Sequence, residues 1–311
     1  MSKQSFIRVT EVWVPSPDRK RLIFGSGAYG SLDELKTVSQ QTSFAYDEGL
    51  PGKAWACGRP VILHDLVNSY FKRGEAAQAA GLTCGVALPI FAGPFVMAVV
   101  TFFCGDDEDH FGAIELWGNE SEPYELGLID GYFGSAEIFE FSARHTKFRR
   151  GFGLPGIVWD TRMPLLMDDL GRSHRFVRKQ SAHKVGINRG IGIPCGRDGD
   201  PPWILTLLSA AGTPIAKRFE CWVPEDDVLM LKSGICESDS AYSAKFDDVA
   251  VMRWEGAIGQ SWQSGVPVLS TDLSKEAGPI AKSAVSAGLS TLVAVPVISQ
   301  CATKAIVAWY N

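Results

Sequence analysis

The chain has 311 residues, 46% of them hydrophobic and 21% charged, with 30 basic side chains against 35 acidic ones. At ~100–200 residues per domain that allows two or three domains, and the apolar share is too high for a disordered chain. A formal charge of −5 gives no blanket attraction to nucleic acid or lipid, and no apolar run reaches the ~18 residues of a membrane-spanning helix, so neither partner is expected.

The first six residues lack the apolar stretch of a secretory leader. Glu11-Val12-Trp13 alternates and then meets Pro15-Ser16-Pro17-Asp18, which predicts a strand entering a hairpin. Ser31-Leu32-Asp33-Glu34 reads as a capping box opening a short helix. Gly49-Leu50-Pro51-Gly52, with Trp55, reads as a structural turn, and the apolar run 60–63 after it ends at Asp65. Residues 72–80 are Ala-rich and helical, stopped by Gly81 where a left-handed cap is natural. Two β-rich stretches, 86–91 and 95–103, close the unit.

The unit then repeats. Glu11-Val12-Trp13 returns as Glu115-Leu116-Trp117 and Glu220-Cys221-Trp222. Gly49-Leu50-Pro51-Gly52 returns as Gly153-Leu154-Pro155-Gly156 and, more weakly, Gly256-Ala257-Ile258-Gly259. Pro89, Pro194 and Pro296 keep the same step. Such self-similarity marks repeated modules, here 1–107, 108–212 and 213–311. The predicted class is α+β, each module a central antiparallel sheet with short helices.

The segments EGLPGKAWACGRPVILHDL, AAQAAGLTCGVALPI and VMAVVTFF resemble the second half of a GAF domain, and their counterparts extend the resemblance over nearly the whole chain. It implies a small-molecule pocket on one sheet face, roofed by helices, and a sensory or regulatory role. Typical members carry long helices before the first strand and after the last, and here there is no room for them. Output is therefore expected through contact with another protein. The ~9 residues between the end of one repeat and the first strand of the next also suit a hairpin. Physical sheets are then permuted, each pairing the end of one repeat with the start of the next, and the chain closes into a ring by strand pairing of its two ends.

Candidate chemistry is sparse. Cys57, Cys84, Cys104, Cys195, Cys221, Cys236 and Cys301 occupy different repeat positions and align mostly with small or apolar residues, which reads as packing in a reduced, cytoplasmic protein. One enzymatic branch of the resembled family reduces free methionine sulfoxide with several cysteines, and module 1 holds three, so a thiol-dependent redox enzyme is kept as an alternative. The five histidines form no ligand cluster, so no metal site is expected, and no cofactor is named by the residues. The Glu-x-Trp units place acid and indole on one strand face, which predicts packing with a paired acid, and Trp55, Trp159 and Trp262 read as core.

Charge is unevenly placed. Residues 106–140 hold eleven acids and no Lys or Arg, and 144–189 hold eleven bases against three acids. The plain reading is two solvated faces, or two runs pairing with each other. The sharper one sets Arg172, Arg175, Arg178 and Lys179 on the segment roofing the module 2 pocket, where forked guanidiniums suit an anionic small molecule. The expectation is a non-catalytic regulatory protein binding a small molecule or a protein partner, with an interaction scaffold of filled pockets as the alternative.

Overall fold

The computed structural model describes residues 5–105, 112–119, 123–239, 242–246 and 249–311. In the first module, strands β1 (Ile7–Pro15), β2 (Arg21–Ala28), β3 (Ser43–Ala45), β4 (Val61–Leu63), β5 (Leu82–Ala92) and β6 (Phe95–Gly105) form a sheet in the order β3-β2-β1-β6-β5-β4. Helices α1 (Asp33–Gln40), α2 (Gly49–Cys57) and α3 (Gly74–Ala79) lie on one face.

The second module repeats this with β7 (Gly112–Gly118), β8 (Glu125–Tyr132), α4 (Glu137–Arg144), β9 (Phe148–Arg149), α5 (Gly153–Thr161), β10 (Leu165–Met167), α6 (Lys179–Lys184), β11 (Ile187–Cys195) and β12 (Trp203–Ala210). The third uses β13 (Arg218–Glu225), β14 (Val228–Cys236), α7 (Tyr242–Lys245), β15 (Ala250–Met252), α8 (Gly256–Ser264), β16 (Val268–Ser270), α9 (Gly278–Ser286), β17 (Leu292–Ser299) and β18 (Ala302–Tyr310).

The closing strand of each repeat pairs antiparallel with its own opening strand: β6 with β1, β12 with β7, β18 with β13. Permuted sheets, and a ring closed by strand exchange, are therefore overturned. The Glu-x-Trp strand is central and needs a partner on both sides, and although the closing strand of the preceding repeat lies nearer in sequence to β7 and β13, each takes the closing strand of its own repeat. The modules still close into a ring, by packing. The short edge strand of each sheet touches the next sheet: β4 on β8, β10 on β13 and β16 on β2. Where β1 begins, the Phe6 and Ile7 amides donate to Pro214 O and Ile215 O, both at 3.0 Å.

Strand alternation gives every sheet two apolar faces. One face points at the helices; the other points inward, where residues such as Val86 and Val100, Ile191 and Leu205, Val295 and Val307 build one core common to all three modules. The inward face of each sheet is covered by the other two sheets. Strands β5, β11 and β17 meet at the centre. Pro89, Pro194 and Pro296 each lie two residues beyond the last residue of these strands that pairs with the short edge strand. There a missing N–H costs no ladder bond, and the proline keeps the converging edges from zipping together.

Candidate functional site

Beneath the helices of each module lies the acid of its Glu-x-Trp unit, fully buried. Alternation on the central strand places Glu and Trp on the helix-facing side, and the indole N–H donates to the carboxylate at 2.9 Å in Glu11, 3.0 Å in Glu115 and 2.9 Å in Glu220. The predicted packing with a paired acid is what the structure shows. In register on the closing strand, Thr101 and Thr206 each donate a hydroxyl at 2.9 Å to Glu11 and Glu115.

An arginine closes two of these sites from above. Arg73, just ahead of α3, donates to Glu11 Oε2 at 3.0 Å and also to Ser39. Its guanidinium lies over the rings of Trp13, Phe71 and Phe103 at 5.0–5.4 Å from their centroids. Arg178, just ahead of α6, grips Glu115 with both terminal nitrogens at 2.6 and 2.7 Å, and sits 4.3 Å from the Phe139 centroid. A buried charge is tolerated when paired and hydrogen-bonded. Burial pushes the Glu11 carboxyl up, but Arg73 with the Ser39 and Tyr29 hydroxyls holds it below the usual carboxylate range.

The third site is built differently. Arg73 and Arg178 each stand eight residues before the left-handed glycine that ends their segment, Gly81 and Gly186; the same step from Gly288 reaches Ile280. No guanidinium descends from α9. Arg218, beside Glu220 on β13, supplies the cation instead, at 3.9 Å. Tyr310 donates to Glu220 at 2.7 Å, and Tyr242 also donates to it. With its arginine this distant, burial dominates and raises the Glu220 pKa.

Where the lid is missing, a cavity opens. It has an empty volume of about 450 Å³, open solvent included, between α8, α9 and the sheet, with Val251, Ile258, Ile280, Ala281, Leu292 and Tyr310 among its walls. Two acids stand at its lining and are engaged by backbone: Glu255 accepts from Met252 N at 2.9 Å, Glu276 from Ala257 N at 3.0 Å.

The basic quartet expected to bind an anion is not gathered. Arg178 points into the core and is committed to Glu115, so it leaves that set. Arg172 is exposed and pairs with Asp169 at 3.5 Å, Arg175 is exposed, and Lys179 is half-buried at the start of α6. Elsewhere in module 2 the acidic and basic runs pair with each other, Arg144 with Glu140 at 2.6 Å and Arg149 with Glu125 at 3.0 Å. Asp106, Asp107, Glu108, Asp109, His110, Glu120 and Glu122 lie outside the described residues.

Trp262 is buried as expected, whereas Trp55 and Trp159 are only half-buried. Cys57 is exposed at the end of α2, on the helix side of the first sheet, while Cys84 and Cys104 are buried on the inward side. The sheet separates them. Burial pushes the Cys195 and Cys221 thiols up to about 12, far from the thiolate that redox chemistry needs. Arg73 escaped the reading of the sequence, although its shared repeat position with Arg178 was available as a signal.

Residues 11–118 match the GAF domain family. The first module is a GAF domain. The other two repeat its strand order and its buried Glu-Trp pair, so the chain is three tandem GAF-like modules. A GAF domain from A. aeolicus, solved in an inactive state, aligns at 21% identity, covering 32% of this chain and 58% of its own, with a TM-score of 0.26. Free methionine-R-sulfoxide reductase from Neisseria meningitidis, solved with its substrate, aligns at 14% identity over 32% and 52%, with a TM-score of 0.25. A GAF domain/HD domain protein from Geobacter sulfurreducens aligns at 17% over 32% and 65%, with a TM-score of 0.28. The chain spans less than two thirds of the length of each. No curated protein matches it. No helix among the described residues is long and apolar enough to cross a membrane.

Proposed function

We propose that this is a non-catalytic regulatory protein in which the third module takes up a small, largely apolar, neutral or cationic molecule beneath its roof. The first two modules serve as closed bodies that carry it and meet a partner. GAF domains are in general sensory or regulatory binders of small molecules. The observation that carries the assignment is the lid position: Arg73 and Arg178 stand on their glutamates, whereas Ile280 in the same position lines a cavity. Apolar walls with few polar groups suit a small-molecule site, and two carboxylates in the lining disfavour an anion. The scaffold reading holds for modules 1 and 2, whose pockets are occupied by their own side chains. A redox enzyme is disfavoured by the separation of Cys57 from Cys84 and Cys104.

Native mass spectrometry of the purified chain, with thermal melts against a panel of apolar amines and neutral metabolites, tests this. A bound or stabilising molecule is expected in the wild type, and Ala281→Phe, which fills the cavity, should abolish its effect. Retention of the full stabilisation in Ala281→Phe, or no stabilisation by any compound, would refute the assignment.

A further inference from the structure

The three seams of the ring are not filled alike. At the seam between the second and third modules, Arg189 pairs with Glu237, and the connecting chain fills the rest: Ala211 N donates to Asn188 Oδ1 at 2.9 Å and Gly212 N to Glu237 Oε2 at 3.2 Å. Counted from the repeated glycines, the residue in Arg189's place in the third module is Thr291, and the residue in Glu237's place in the first is Gly30. At the seam between the third and first modules the large ion pair is therefore absent, and a cleft of about 950 Å³, open solvent included, is present.

Its lining includes Arg8, Lys217, Ser31, Ser290, Thr291 and Asn311, and no carboxylate side chain among the described residues. Lys217 is half-buried and makes no side-chain hydrogen bond or ion pair with any described residue. Asn311 Oδ1 is buried and accepts no hydrogen bond from any described residue. A buried acceptor without a donor is costly, and a cation in a concave polar site attracts an anion.

We infer that this cleft binds an oxyanion that also offers a hydrogen-bond donor, a hydrogen phosphate or a hydroxyl-bearing phosphate ester. Lys217 would balance its charge, and Asn311 Oδ1 would accept its O–H. The asymmetry has a direct test, because at pH 7 inorganic phosphate retains an O–H and sulfate does not. In thermal melts at fixed ionic strength, phosphate should stabilise the full chain saturably and sulfate should do so at least tenfold more weakly in midpoint concentration. Lys217→Ala should weaken the phosphate effect at least tenfold, and Asn311→Leu should erase the preference over sulfate. Glycerol phosphate in parallel separates the sources: tighter binding than phosphate points to an ester, weaker binding to the free ion. Ala281→Phe, remote in the third module's cavity, should change none of this, so the outcome is independent of that site. Equal effects of phosphate and sulfate on the wild type, or an unchanged phosphate effect in Lys217→Ala, would overturn the inference.

Discussion

Arg73 is 3% exposed and surrounded by aromatic rings, and among the described residues its charged counterpart is Glu11. Removing one member of such a pair leaves the other uncompensated, at a cost of about 3–5 kcal/mol. Arg73→Met should lower the denaturation free energy by about that amount, and Arg73→Met with Glu11→Gln should recover most of it. Equal destabilisation in the single and double variants would show that the ring packing, not the charge, is what Arg73 supplies. The pH dependence has a definite sign. The Glu11 pKa is depressed on folding, so its contribution is complete above the ordinary glutamate value and is lost as pH falls through the depressed one; the double variant should lack that component. The acid of this pair was readable in the sequence, since Glu-x-Trp recurs three times on one strand face. Its arginine was not. Arg178 was grouped with Arg172, Arg175 and Lys179 by charge and spacing alone, and local spacing cannot show which of four neighbouring cations turns inward to a strand some sixty residues away.

The Gly-x-x-Gly helices show what an element demands of its sequence. The first glycine takes a left-handed backbone in all three modules, with φ of 59°, 71° and 58°. A Cβ on the second would meet a strand carbonyl oxygen at 2.2 Å from Ala45, 2.1 Å from Arg149 or 2.2 Å from Met252. This close seating of α2, α5 and α8 on the neighbouring strand is why the motif survives even where its middle residues change. Gly52→Ala should cost about 1–3 kcal/mol in unfolding free energy through forced displacement of that helix, whereas a surface change on the same helix such as Lys53→Gln should cost less than about 0.5. A near-neutral Gly52→Ala would mean the helix shifts freely. Local chemistry was misread at α1: the capping box from Ser31 does not form, the residue before the helix is Leu32, and it makes no side-chain cap. The strands were read well because their alternation is strong. Their pairing was not, because a nine-residue connection fits a hairpin and a crossing equally and the choice is made by packing across the whole molecule.

That packing makes the three modules one object. A core assembled from the inward faces of three sheets cannot be completed by any one of them, so the loss of one sheet exposes the other two. Multi-domain chains ordinarily unfold in steps. This one should not. Leu205 lies in β12, fully buried in the shared core, and Leu205→Ala should cost about 2–5 kcal/mol. The variant should shift a single calorimetric transition, with the calorimetric enthalpy still equal to the van't Hoff enthalpy. Leu229, equally buried, belongs instead to the third module's own helix-facing core. Leu229→Ala should weaken the same single transition by a similar amount, because local damage in one module is felt by all three when they share a centre. The opposite architecture makes a different forecast. With three independent modules, Leu205→Ala would split off an early transition carrying about a third of the enthalpy and leave the rest in place, and Leu229→Ala would split off a different third. Coincident loss of near-ultraviolet dichroism and heat absorption in both variants is the expected result; separate steps would mean that the common core is a contact between finished domains and not what finishes them.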